Sequence, residues 1–242
     1  AKEGTKPLED SRVRILHEDA GPMVRRTANK HDVILSNVGD PLNAGNNRFY
    51  TKEFFERLRG LLQPGGIVSF AVTSSPDMVG SKQAMFLRSI RDALLRVFPF
   101  VLIYPGESAR FMASNDPDVL QVNPGRLIER LRERELDLQF VQDFSLQDRM
   151  SPMRVEALQS VLDGMEGPML PVNEDFRPSC YYYGLAVWSA QVHPLLGGIF
   201  AALAGMSKGL TWLLVAGGCL GLFVVSAAKH PNPQWVVALC VF

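Results

Sequence analysis

The sequence predicts an α/β domain followed by membrane-spanning helices. Three observations carry that prediction. Short aliphatic runs alternate with segments of helical period over the first two-thirds of the chain. Charge is uneven: from Pro178 onward only Lys208 and Lys229 are formally charged, with His193 and His230 as further potential cations. Residues 210–228 form a run of 19 without a charge, close to the roughly 20 apolar residues that cross a bilayer core. The predicted division is an α/β domain over residues 1–180 and a membrane region over 181–242. Its spans are predicted at about 185–206, 210–228 and 235–242, the last cut short by the end of the chain.

The 242 residues suffice for one α/β domain plus a smaller unit. Basic and acidic side chains balance at 25 each, so no overall field favours nucleic acid. The three cysteines, Cys180, Cys219 and Cys240, form no CxxC pair and read as small buried hydrophobes. Neither a disulfide framework nor a metal site is expected. The chain opens on Ala1 and closes inside an apolar run, so both ends read as cut.

Taken in order, residues 12–17 alternate as a strand would, and a short helix is expected over about 22–29. Residues 32–41, Asp-Val-Ile-Leu-Ser-Asn-Val-Gly-Asp-Pro, read as a buried strand running into a loop. In open α/β sheets ligands bind outside the carboxyl ends of the strands, which marks Asn37, Gly39 and Asp40. A helix over 48–62 stops at Pro64-Gly65-Gly66, and 67–73 is the next buried strand. Residues 82–97 place Phe86, Ile90, Leu94 and Val97 on one helical face. Residues 99–104 form a strand, Pro105-Gly106 a turn, and 109–114 its antiparallel partner. Asn123-Pro124 and Ser151-Pro152 begin two more helices, the second ending at Gly164 with Met153, Ala157, Leu158, Val161 and Leu162 as its buried stripe. Residues 171–178 form a loop. The aromatic stretch 181–188 suits a membrane–water boundary. Lys229 and His230 favour a cytoplasmic loop after the second span, which puts the α/β domain on the same side of a multi-pass membrane protein.

Several of these residues also resemble one family. Asp32-Val33-Ile34, Asp40-Pro41, Tyr50-Thr51, Phe54-Phe55 and Pro64-Gly65-Gly66 occur in the order seen in the polyamine aminopropyltransferases, the spermidine synthase family. Asn173, Asp175 and Pro178 match a later Asn-Thr-Asp-Asp-x-x-Pro loop, with Glu174 at the Thr position. The resemblance covers roughly residues 13–183. It implies a partial Rossmann-like sheet, of the class I S-adenosylmethionine methyltransferase type, that lacks its first strands. No Gly-rich strand–helix turn precedes Arg12. The resemblance also implies decarboxylated S-adenosylmethionine as co-substrate, no prosthetic group, a polyamine acceptor and a homo-oligomer, here with membrane lipid as a further partner.

Residue by residue, the resemblance puts Glu18, Asp19, Ala20 and Asn37 at the nucleoside, and Asp40, Tyr50 and Asp175 at the amine. Asp19 is equally suited to cap the helix behind it. Aminopropyl transfer needs two cations held and one proton removed. The family uses two Asp residues three apart, the first as base. Here Asp40 keeps the second position, but Asn37 stands at the first, and an amide accepts no proton at neutral pH. Ala44 stands where the family often has Pro. Two alternatives follow from Asn37: an S-adenosylmethionine-dependent methyltransferase, or a catalytically silent polyamine- or nucleoside-binding domain.

Overall fold

The computed structural model describes residues 10–75, 79–120, 123–135, 138, 141, 143–164 and 170–206, and beyond them 209, 210, 213, 216–218, 220 and 221. Helix α1 spans Ala20–Arg26 and strand β1 His31–Ser36. A one-turn helix α2 (Ala44–Asn47) leads to α3 (Lys52–Gly60) and the long strand β2 (Leu62–Thr73). Helix α4 (Ser81–Leu95) returns to a hairpin of β3 (Phe100–Tyr104) and β4 (Ser108–Ser114). Helices α5 (Pro124–Glu133), α6 (Asp143–Arg149), α7 (Pro152–Asp163), α8 (Ser179–Ala190) and α9 (Pro194–Gly205) complete the described elements.

The sheet is mixed, in the order β1-β2-β4-β3. β1 and β2 are parallel, joined through α2 and α3, whereas β4 runs antiparallel to both β2 and β3. This mixed sheet with its flanking helices is the α/β arrangement expected from the alternating pattern, and its parallel pair β1–β2 fits the Rossmann-like sheet that the resemblance implies. Its register shifts between His31/Leu62 and Val33/Ile67. The shift falls at Pro64-Gly65-Gly66, where Gly65 takes a positive φ of 72° that side chains resist. A Cβ on Gly66 would lie 2.9 Å from the Gln63 carbonyl and 3.1 Å from that of His31, so only glycine lets the two strands meet here.

The core is aromatic and aliphatic. Phe70 of β2 stacks between Phe55 of α3 and Phe111 of β4, with Tyr50 edge-on. Helix α4 buries Phe86, Ile90 and Leu94, with Val97 just beyond its end, the face its spacing predicted. Arg91 of α4 pairs with Asp163 of α7 at 2.7 Å. On α7 the buried residues are Val155, Leu158 and Leu162, while Met153 is 75% exposed, so the buried stripe is rotated from the predicted one.

Residues 12–17 form no strand, and Val13, Ile15 and Leu16 stay exposed. The predicted 22–29 helix begins instead at Ala20, because the Asp19 carboxylate caps the Gly21 amide at 2.8 Å. The predicted 48–62 helix starts only at Lys52, where the Thr51 hydroxyl oxygen accepts from the Phe54 amide.

The membrane prediction is corrected. No helix among the described residues is long and apolar enough to cross a membrane. The expected span over 185–206 is two 12-residue helices, α8 and α9, each about 18 Å long against a hydrocarbon core of about 30 Å. They fold back on each other as a hairpin. A Cβ on Gly197 would lie 2.9 Å from the Ala186 carbonyl and 3.0 Å from the Ala190 Cβ. Arg177, just before α8, donates to the Met206 carbonyl just after α9 at 3.0 Å. The aromatic stretch expected at a membrane boundary lies wholly within α8, which buries Cys180, Tyr183 and Ala186. The multi-pass membrane localisation and the lipid contact tied to it lose their basis. Of the predicted span 210–228 only scattered positions are described, and 235–242 lies outside the described residues.

Candidate active site

The carboxyl ends of β1 and β2 open on the loop over residues 37–43. Asp40 ties the two strand ends together: its Oδ1 accepts from the Thr73 amide at 3.0 Å. Tyr50, itself buried, shares its hydroxyl proton between the carbonyls of Val38 at 3.1 Å and Gly39 at 3.2 Å. Asn46 adds a bond from its amide nitrogen to the Asp40 carbonyl at 3.1 Å. The loop is therefore held from beneath by Tyr50 and from the side by β2.

Helix α8 backs this loop. A Cβ on Gly184 would lie 2.9 Å from the Leu42 Cδ2 and 3.4 Å from the Pro41 carbonyl, so α8 approaches as closely as a residue without a side chain allows. Burial raises the Tyr50 phenol well above its usual range, and the Asp40 charge and then Cys180 add to the rise. Burial likewise pushes the Cys180 thiol up; a Ser89 hydrogen bond opposes this and the Asp40 charge reinforces it. Both groups stay neutral, and Asp40 is the charge they face.

Asn37 is exposed on this loop. Glu18 pairs with Arg26. Asp19 caps α1 and also pairs with the Arg48 guanidinium at 2.8 Å. That guanidinium, and after it the Gly21 amide, holds the Asp19 carboxyl below the usual carboxylate range. Asp175 stands at the start of α3: its Oδ1 accepts from the Thr51 hydroxyl at 2.7 Å, and its amide donates to Glu53 at 3.0 Å. The structure thus joins Asp40 to Tyr50 through the loop, Asp19 to Arg48, and Asp175 to the start of α3.

The loop over 171–178 is fastened by Asn173, which is fully buried. Its Nδ2 donates to the Tyr50 carbonyl at 2.8 Å, its Oδ1 accepts from the Cys180 amide at 3.1 Å, and its own carbonyl accepts from Lys52 at 2.9 Å. Sequence reasoning marked Asn173 as a motif residue but missed this fastening role. It also missed Arg48, whose partner Asp19 is 29 positions away and has no local signal.

Residues 2–112 match the family model described as the spermine/spermidine synthase domain. The polyamine aminopropyltransferase of Synechococcus sp. (strain JA-2-3B'a(2-13)) is 28% identical over 148 residues, covering 57% of this chain and 47% of that protein. Polyamine aminopropyltransferase 2 of Aquifex aeolicus (strain VF5) is 24% identical over 178 residues, covering 72% of this chain and 32% of that protein. A solved spermidine synthase in complex with the transition state analogue AdoDATO gives a TM-score of 0.49 at 20% identity, covering 65% of this chain and 53% of that one. The chain spans about half the length, or less, of these curated relatives. Over residues 2–112 the chain is similar to the spermine/spermidine synthase domain.

Proposed function

We propose that the loop leaving β1 serves an aminopropyltransferase reaction, with decarboxylated S-adenosylmethionine as co-substrate and a polyamine as acceptor. The seat of Asp40 carries this reading. Its Oδ1 is spent on Thr73, and its Oδ2 makes no hydrogen bond among the described residues. A carboxylate oxygen so placed, where two parallel strands end, suits an ammonium group.

In the transfer, the amine nitrogen attacks the carbon beside the sulfonium. A C–N bond forms, the C–S bond breaks, and a neutral thioether leaves while the nitrogen gives up a proton. Asp40 holds the amine and Asn37 orients it by hydrogen bonding. Glu18, Asp19 and Ala20 face the nucleoside. Tyr50 acts as a positioning residue, holding the carbonyls of Val38 and Gly39. General bases contribute about a hundred- to ten-thousand-fold, so Asn37 in the base position makes for slow turnover. Self-association belongs to the same proposal and is read by sedimentation.

The test is calorimetric titration with decarboxylated S-adenosylmethionine, S-adenosylmethionine and methylthioadenosine, with product formation from putrescine measured in parallel. Binding of the decarboxylated compound is expected, with turnover rising at least tenfold, about 1.4 kcal/mol of barrier, in Asn37→Asp. Absence of binding by all three would sink the reading. One observation favours a second reading, a domain that binds without catalysis: Asn37 supplies no base. That reading predicts binding of the same compounds with no product, in Asn37→Asp as well. Preference for S-adenosylmethionine would point to methyl transfer.

A further inference from the structure

A cavity of about 310 Å³ lies among α1, the turn over 44–51, α3 and the loop over 173–178. Its size falls at the small end of ligand sites. Three guanidinium side chains line it: Arg25 from α1, Arg48 from the turn and Arg57 from α3. Among the lining residues they face one carboxylate, Asp175, whose Oδ1 already accepts from Thr51.

Two of the three arginines, Arg25 and Arg57, make no ion pair among the described residues. Arg48 gives one amine to Asp19 and lies over the Phe49 ring at 4.6 Å. Arg25 stands near enough to Asp19 to help depress its pKa but makes no ion pair with it. Arg57 makes no ion pair among the described residues. Three like charges from separate segments converging on one cavity form an arrangement that an oxyanion completes, because guanidinium forks match phosphate oxygens two at a time.

A second observation is independent of charge. Asn47 lines the same cavity, is 96% buried by its 4% exposure, and its Oδ1 has no hydrogen-bond donor. Buried polar atoms in settled folds are almost always paired, and each exception calls for a reason. A ligand hydroxyl supplies the missing donor.

We propose that this cavity binds a phosphorylated small molecule that carries hydroxyl groups beside its phosphate, the chemistry of a sugar phosphate or a nucleotide. The phosphate pairs with Arg25, Arg57 and the remaining N–H groups of Arg48, and a hydroxyl donates to Asn47. This assignment does not rest on aminopropyl transfer, and its test uses neither an amine nor a sulfonium.

The test is calorimetric titration of the chain with ribose 5-phosphate, inorganic phosphate and ribose at two salt concentrations. Ribose 5-phosphate is expected to bind more tightly than inorganic phosphate and to weaken as salt rises, while ribose gives no heat. Arg25→Gln and Arg57→Gln are each expected to weaken it about tenfold. Asn47→Asp, which keeps the side-chain shape but adds a like charge, weakens it further. Thermal unfolding midpoints verify that each variant folds, and the Arg25→Gln and Arg57→Gln variants decide the matter if Asn47→Asp does not. No binding of either phosphate at millimolar concentration in low salt overturns the proposal, as does unchanged affinity in the Arg25→Gln/Arg57→Gln double variant. Equal affinity for inorganic phosphate and ribose 5-phosphate overturns the role given to Asn47.

Discussion

Replacing Asn173 by alanine tests the fastening of the 171–178 loop directly. The side chain is fully buried and makes two hydrogen bonds, to the Tyr50 carbonyl at 2.8 Å and from the Cys180 amide at 3.1 Å. Alanine removes both partners and leaves a carbonyl and an amide in a dry interior. Each stranded group costs about 1–3 kcal/mol. The sum is about 2–6 kcal/mol, a large share of the roughly 5–15 kcal/mol that holds a typical domain together. The assay is urea unfolding followed by circular dichroism, with the change taken from the midpoint at constant slope. Thermal midpoints should fall by about 5–15 °C for a chain of this length. Asn173→Asp keeps the acceptor for Cys180 but loses the donor to Tyr50, so it should also destabilise. A loss under about 1 kcal/mol in Asn173→Ala would refute the argument, because exposed polar substitutions already reach about half that.

Other consequences follow from the same geometry. Gly66→Ala should cost about 1–3 kcal/mol, read by urea unfolding, because the new methyl meets backbone carbonyls that cannot swing aside. Burial raises the Tyr104 phenol from 10.0 to about 12. A raised folded-state pKa means its stabilisation is whole below pH 10 and fades as pH climbs from 10 to about 12; unfolding midpoints across that window should flatten in Tyr104→Phe. Arg48→Ala should let the Asp19 carboxyl titrate nearer the ordinary range, followed by carboxyl NMR shifts, since Arg48 is the largest cause of its depression. In a Cys219→Ser/Cys240→Ser background, the buried Cys180 thiol should react with a disulfide reagent only as the chain unfolds, because burial keeps it a neutral thiol.

Local features were the legible ones. The break at Asp40-Pro41, the face of α4, the β3–β4 hairpin and the Asn123 cap each depend on residues within a turn or two of each other. The Asn123 side chain does accept from the Arg126 amide. The membrane prediction failed because hydropathy counts residues and not breaks. Residues 191–193 end α8, and a new helix begins at Pro194, where a ring without an N–H is tolerated. The apolar surface of α8 is used against α4 and the loop over 40–42. On α7, period alone left the phase free, and packing against β3 and α4 chose Val155 over Met153. The arginine-lined cavity left no trace in the sequence, since its side chains come from α1, a turn and α3.

Strand β1 has a further consequence. Among the described strands it pairs only with β2, and Val33 and Leu35 are 55% and 72% exposed. A strand bonded along one edge leaves every second amide to solvent, so hydrogen exchange along β1 should alternate fast and slow. The loop that carries Asn37 and Asp40 begins where that strand ends. Its bond from Thr73 to Asp40 therefore works as a mooring line: it ties the loop to β2, which has neighbours on both sides, and not to the strand from which the loop springs.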